Sequence, residues 1–218
     1  MEDLNMSVCN ICGGNEFISG PGGRLSLTGK PPKCKGCSSL ERHRCLREIY
    51  LQLNNFMPFK KMSALQISKD RAIDPEWFAS HELSIYGGDN SIDIQNIGRQ
   101  DNRYDVVICN HVLEHIENDY LALKELMRVS SDSGFFQLAV PDPCYLKKTQ
   151  DWGYPDENKH GHYRMYGIDI EERFEKVFSS EVEKIKVFVV DPVTGLNDLF
   201  FFFTRSLKVA SLIKGISE

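Results

Sequence analysis

The sequence lacks any apolar run of membrane-spanning length. Its longest, Leu199-Phe200-Phe201-Phe202-Phe203, is bracketed by Asp198 and Arg205. A bilayer crossing takes about 20 apolar residues, so this run reads as a buried strand and no membrane partner is expected. The opening stretch, MEDLNMSVCNIC, has no basic start and no apolar core of a leader. No secretory signal is therefore predicted, and the expected compartment is cytoplasmic. Repeats and low-complexity tracts are missing. So is an excess of positive charge: 26 Lys and Arg stand against 31 Asp and Glu, a net charge of −5. That balance argues against a general nucleic-acid binder, whose phosphate contacts come from clustered cations.

What is present is ordinary for a soluble globular chain, with 41% hydrophobic and 26% charged residues. The 218 residues suit one α/β domain of about 150–170 residues plus a small appendage. One local exception to the charge balance exists. Arg24, Lys30, Lys33, Lys35, Arg42, Arg44 and Arg47 fall in one stretch against the single acid Glu41. Such a run is a solvated face or a partner-binding patch.

Seven cysteines in a cytosolic chain point to metal ligands or buried apolar residues before disulfides. Cys9-x-x-Cys12 and Cys34-x-x-Cys37 are paired knuckles. Each sets two thiolates on one side of a tight turn, and two such turns close a tetrahedron around Zn2+. Gly13-Gly14 and Gly36 stand where the backbone must turn sharply. Gly20-Pro21-Gly22-Gly23 and Pro31-Pro32 are turn chemistry with little core capacity, so this segment needs a staple. Four thiolates leave no open coordination position, which makes the zinc structural. Cys45, Cys109 and Cys144 are isolated and read as small apolar residues.

A helix follows the second knuckle, capped by Ser38 or Ser39, with Leu46, Ile49, Tyr50 and Leu53 at helical spacing before Pro58. The knuckle is thus expected to pack on the main body, with the division falling between residues 1–57 and 58–218. From residue 63 the pattern alternates. Strands are predicted at Ser63–Ile67, Leu83–Tyr86, Tyr104–Cys109 and Phe135–Val140, with helical turns at Pro75–Ala79 entered from Asp74. Ile116, Tyr120, Leu123 and Met127 mark an amphipathic helix. A helix near Ile170–Phe178 precedes two strands joined through Asp191-Pro192-Val193-Thr194-Gly195, an antiparallel hairpin at the sheet edge. The predicted fold is a doubly wound, mostly parallel α/β sheet with a terminal antiparallel hairpin.

Tyr104-Asp105-Val106-Val107-Ile108-Cys109-Asn110-His111-Val112-Leu113-Glu114-His115-Ile116, followed by Leu123-Lys124-Glu125-Leu126-Met127-Arg128-Val129, resembles the fourth-strand signature of class I S-adenosylmethionine-dependent methyltransferases. Ser133-Gly134-Phe135-Phe136 resembles that family's turn into strand five. Gly161-His162-Tyr163-Arg164-Met165-Tyr166-Gly167 resembles a block in small members that often begin with paired CxxC knuckles. The resemblance implies a Rossmann-like fold and an S-adenosylmethionine site at the carboxyl edge of the sheet. The implied cofactor contacts are Gln66 and Ser68 after strand one, Asp89 and Asn90 toward the ribose, and Asp93 with Ile94 beside the adenine. Asn110, His111 and His115 would lie beneath the methionine end. The family's first turn is Gly-rich, whereas Gln66-Ile67-Ser68-Lys69-Asp70-Arg71 has no glycine, and side chains there hold a ligand further off.

His111-x-x-Glu114-His115 also matches the pattern of inverzincin metalloproteases, but it follows a buried strand where that chemistry needs a helix. Methyl transfer is an in-line displacement that chiefly needs alignment, with a base where the acceptor must lose a proton. His162 is the first choice for that base, with His111 and Tyr166 as further candidates. His160, Arg164 and Arg42 are expected to bind the acceptor, Arg164 through its fork on an anion. The expected function is methyl transfer to a small-molecule or glycan-linked acceptor. The alternatives are a nucleic-acid or protein methyltransferase gripping through the basic knuckle, and a silent binding module of the same fold.

Overall fold

The computed structural model describes residues 7–216; the first six residues of the opening stretch lie outside this range. Two short strands, β1 (Phe17–Ile18) and β2 (Lys33–Cys34), pair antiparallel and hold the cysteine segment. The chain then enters helix α1 (Glu41–Phe56). The main sheet contains β3 (Ser63–Ile67), β4 (Ser80–Ser84), β5 (Tyr104–Asn110), β6 (Ser130–Ala139), β9 (Glu183–Val190) and β10 (Asn197–Thr204). Their order is β4-β3-β5-β6-β10-β9. The first four are mutually parallel, and β10 runs against both β6 and β9. This is the expected mostly parallel Rossmann-like sheet with one reversed strand.

Helices cover both faces. Residues of α2 (Asp119–Val129) and α3 (Ile170–Val177) share one apolar core with Leu65, Val107, Phe136 and Phe203. On the other face α1 and α4 (Leu207–Lys214) pack with Val106, Ile108, Phe135, Phe200 and Phe202. A strand buried on both faces needs an unbroken apolar run, which Val106-Val107-Ile108-Cys109 supplies. Each fully buried Phe or Leu contributes about 1.5–3 kcal/mol. Because Cys45, Leu46, Ile49, Tyr50 and Leu53 of α1 belong to that second core, the helix after the knuckle is part of the sheet-bearing body.

Several local expectations shift. The helix predicted at Pro75–Ala79 is a single 3-10 turn, Pro75–Trp77. Asp74 does accept from Glu76 N at 3.0 Å, but Phe78 is drawn into the core, and β4 begins at Ser80. That strand starts earlier than predicted and ends at Ser84, opposite Ile67, the last residue of β3. Beyond that point no partner strand remains, and Tyr86 is 99% exposed. The cap of α1 is also different. Ser38 is left-handed at φ 60, and the Ser39 hydroxyl lies 3.3 Å from Cys9 Sγ. Leu40 precedes the helix instead, its N–H donating to His43 Nδ1 at 2.9 Å. The periodicity did not reveal α4, nor the small antiparallel pair β7 (Gln150–Asp156) and β8 (His162–Met165).

Candidate active site

In a parallel sheet all strand ends of one polarity share an edge. The segments after β3, β4, β5 and β6 therefore emerge together, and the start of the reversed β10 joins them. Asp89, following β4, and Asn110–His115, ending β5, thus stand at the same carboxyl edge. Two turns here are strained. Ser68, just after β3, has φ 65 and His111, just after β5, has φ 52. Non-glycine residues in this region are uncommon and concentrate at functional sites. The His111 N–H donates to Ala139 O at 2.8 Å, which holds the left-handed turn against the end of β6.

Beneath these turns runs a chain of polar side chains. Gln137 Nε2 donates to Asn110 Oδ1 at 2.8 Å, and Asn110 Nδ2 donates to Asp70 Oδ2 at 3.2 Å. Asp70 Oδ1 also accepts from Ala72 N at 2.8 Å, while burial pushes this carboxyl above its ordinary range. Gln137 Oε1 is buried without a hydrogen-bond partner among the described residues. An orphaned buried acceptor is costly, by about 1–3 kcal/mol. Neither Asp70 nor Gln137 stood out in the sequence, because each becomes a site residue only through a neighbour on another strand.

Above the chain lies a cluster of charged and imidazole groups. His111 Nδ1 is 3.7 Å from Glu114 Oε1. Burial, with help from Arg42, lowers the His111 pKa to about 3, so its ring is neutral at physiological pH. Burial likewise raises the Glu114 carboxyl to about 7. Among the described residues, no side-chain hydrogen bond or ion pair engages the Arg42 guanidinium; it acts at a distance on Asp70, His111, Glu114 and Asp198. From the small β7–β8 pair, His162 meets His115 edge to face with centroids 4.5 Å apart, and His160 lies 6.1 Å from His162.

Other expected site residues have different surroundings. Gln66 is buried, with Nε2 donating to Ser68 O and Oε1 2.9 Å from His81 Nε2, so its side chain props its own turn. Asp89 is exposed on the turn after β4, and Asn90 Nδ2 donates to Leu83 O at 3.0 Å. Asp93 Oδ1 accepts from Gln95 N at 2.9 Å, a local turn bond. Ile94 is 1% exposed inside the α2 face core, which leaves it no free surface to stack on a base.

Arg164, expected to grip an acceptor, is 3% exposed. Its Nε donates to Asp151 Oδ2 at 2.7 Å and its terminal nitrogens to Ile116 O and Glu117 O. Each of its three side-chain nitrogens is engaged, so it ties β8 to the loop after β5. Tyr166 is equally enclosed, its hydroxyl donating to Asp119 Oδ2 at 2.8 Å. Burial and that carboxylate raise its pKa well above normal, which keeps the hydroxyl protonated and unavailable to take a proton.

Just ahead of α1, beside Ser39, the four predicted cysteines meet. One Sγ from each of Cys9, Cys12, Cys34 and Cys37 lies within 4.8 Å of the others. Cys9 and Cys37 sulfurs are 3.7 Å apart, and those of Cys12 and Cys34 3.5 Å. Bonds of about 2.3 Å to one tetrahedral zinc require nearly this spacing. A Cβ at Gly14 or Gly36 would stand 3.4 Å from Cys12 Sγ, so both glycines leave room for the sulfurs.

The methyltransferase-domain family model matches residues 40–177, from the start of α1 to the end of α3. The chain belongs to this family. Its sheet is the Rossmann-like one of S-adenosylmethionine-dependent methyltransferases, and the matched span contains the whole polar chain described above. Among solved structures, it is similar to a Burkholderia thailandensis 1,6-didemethyltoxoflavin-N1-methyltransferase at 12% identity, covering 75% of this chain and 78% of that one, with a TM-score of 0.44. Similar too are an S-adenosylmethionine-dependent methyltransferase of Aquifex aeolicus (13% identity, 71% and 88% covered, TM-score 0.43) and one of Thermotoga maritima (14%, 74% and 89%, 0.43). Among curated proteins none matches the sequence. No helix among the described residues of this methyltransferase is long and apolar enough to cross a membrane.

Proposed function

We propose that this methyltransferase moves a methyl group from S-adenosylmethionine to a small-molecule or glycan-linked acceptor that carries an anionic group. The observation that carries this reading is the carboxyl-edge chain of Asp70, Asn110 and Gln137, with Arg42 close enough to act on Asp70 and without a side-chain partner among the described residues. The orphaned Gln137 Oε1 and the Asp70 carboxylate suit the ammonium of the donor's methionine end. Asp89 and Asn90 remain our assignment for the ribose side, and His111 lines the methionine end as a neutral ring.

Transfer breaks the sulfur–methyl bond, with its electron pair staying on sulfur, and forms a bond from methyl to the acceptor atom. The protein's part is alignment in a site that excludes water. Arg42 holds the acceptor's carboxylate or phosphate through its fork. His162, half-buried and flanked by His115 and His160, takes the acceptor proton where one must leave. Arg164 and Tyr166 act as positioning residues that hold the β7–β8 pair over the edge. The cysteine quartet holds a structural Zn2+ on an appendage to a catalytic unit that begins near Leu40.

The competing nucleic-acid reading leaned on the basic stretch, and most of those charges are engaged. Arg24 pairs with Glu41, Lys35 with Glu16, Arg44 with Asp191 and Arg47 with Asp74. Calorimetry with S-adenosylhomocysteine is the test. Binding is expected for the native chain, with at least a tenfold loss in Asp70→Ala, about 1.4 kcal/mol. No binding at millimolar ligand would leave a silent module of the same fold.

A further inference from the structure

Outside the cysteine quartet, one more group of potential metal ligands gathers. Glu114, His115 and His162 each bring a ligand atom within 4.8 Å of the other two. Their origins are far apart in sequence. Glu114 and His115 stand on the 3-10 turn Leu113–His115 after β5, and His162 begins β8. The two segments are locked together by Arg164, which reaches from β8 to the carbonyls of Ile116 and Glu117. Trp152 Nε1 further pins the backbone at His162, donating to its carbonyl at 2.8 Å.

The carboxylate is the telling member. Glu114 is 1% exposed, and its Oε2 is buried with no hydrogen-bond partner among the described residues. Leaving a carboxylate oxygen enclosed and unpartnered is costly, and a cation seated against it removes that cost. The two imidazoles beside it meet edge to face. Gly161 lies against one side of His115: a Cβ built there would be 3.9 Å from Nδ1. That is an ordinary van der Waals distance, so the Gly161 backbone leaves the His115 ring room to turn.

We propose that Glu114, His115 and His162 form a second metal site, separate from the cysteine quartet, that takes a divalent transition-metal ion. Two imidazole nitrogens and one carboxylate oxygen suit Zn2+ or Fe2+, whereas Mg2+ and Ca2+ favour all-oxygen shells. Metal–ligand bonds of about 2.0–2.1 Å bring ligand atoms to about 3.4 Å from one another. Rotation of the exposed His115 and half-buried His162 closes that gap around the fixed Glu114. The inverzincin spacing His111-x-x-Glu114-His115 does not form this site. His111 sits in its left-handed turn before the 3-10 segment, so it shares no helix face with His115, and His162 supplies the second imidazole.

Three protein ligands leave a position open. Water or an acceptor oxygen completes the shell, and a bound cation would then replace His162 as the group that prepares the acceptor. That last step rests on the acceptor occupying this edge; the metal site itself does not.

The test is equilibrium dialysis of the full chain against micromolar Zn2+, followed by elemental analysis. Two zinc ions per chain are expected, falling to one in the His115→Ala/His162→Ala double variant and in Glu114→Gln. Cobalt substitution reports which ion is lost. The intense thiolate charge-transfer bands of the quartet should persist, while the weaker bands of a nitrogen–oxygen site vanish. A single zinc in the native chain overturns the proposal, and so does a second zinc kept by the double variant, which would mean an adventitious ion only. Calorimetry with S-adenosylhomocysteine on the same samples is a separate readout: its failure sinks the methyltransferase reading and leaves the metal count standing.

Discussion

Asp198 illustrates how much a single residue depends on its surroundings. It sits at the start of β10, at the carboxyl edge, and burial raises its pKa to about 7 despite a hydrogen bond from Leu199 N. Its folded-state pKa thus lies above the ordinary carboxylate value. The folded chain binds this proton more tightly than the unfolded chain, so the associated stability is present at low pH and is lost as pH rises toward and through about 7. Asp198→Asn should therefore raise the thermal midpoint clearly at pH 8 and by a smaller amount at pH 5, where the loss has only begun. Scanning calorimetry at the two pH values checks this, and a larger gain at pH 5 would contradict the sign. The cysteine quartet was legible residue by residue, because paired CxxC spacing is enough to predict that the four sulfurs gather. Asp70 and Gln137 were not, because an acid in a loop and an amide in a strand acquire a role only from what faces them.

At the scale of elements, the strands were the most readable parts and their ends the least. β5 was visible as an apolar run, and the β9–β10 hairpin as two runs around Asp191–Gly195. The boundaries of β4 were set by β3, which ends at Ile67 and leaves Ile85 nothing to pair with. Gly134 shows the same dependence on a neighbour. A Cβ there would lie 2.0 Å from Asp105 O and 2.8 Å from Asp105 Cα, both backbone of β5. The contact is between strands, so no side-chain rotation relieves it. Gly134→Ala should destabilise the chain by more than about 2 kcal/mol. Urea unfolding followed by far-ultraviolet circular dichroism would measure the loss, and a near-neutral result would mean that the β5–β6 pairing yields locally.

Across the molecule, one ion pair joins the beginning of the chain to its end. Arg44 on α1 donates from Nε and a terminal nitrogen to Asp191 at 2.7 and 2.9 Å, and both side chains are 0% exposed. Asp191 also accepts from Thr194 N and Oγ1, shaping the β9–β10 turn. Arg44 further donates to Ser39 O, beside the cysteine quartet. Removing one partner strands a buried charge, so Arg44→Met should cost about 3–5 kcal/mol. The double variant Arg44→Met/Asp191→Leu should recover a large part of that loss, since neither charge remains. A double-mutant cycle by chemical denaturation tests this; no recovery would place the cost in lost packing.

The sequence by itself determined the class of fold, the zinc-type quartet and the family, because each is written in short-range spacing: apolar runs, CxxC pairs, and one strand-to-turn signature. Only the tertiary structure decided which polar residues share the carboxyl edge. It enclosed Arg164 and Tyr166, left Arg42 without a side-chain partner among the described residues, and brought His162 against Glu114 and His115. Those outcomes depend on strand order and on loops that meet from distant parts of the chain. No local pattern encodes such distances, which is why the fold was read more fully than the site.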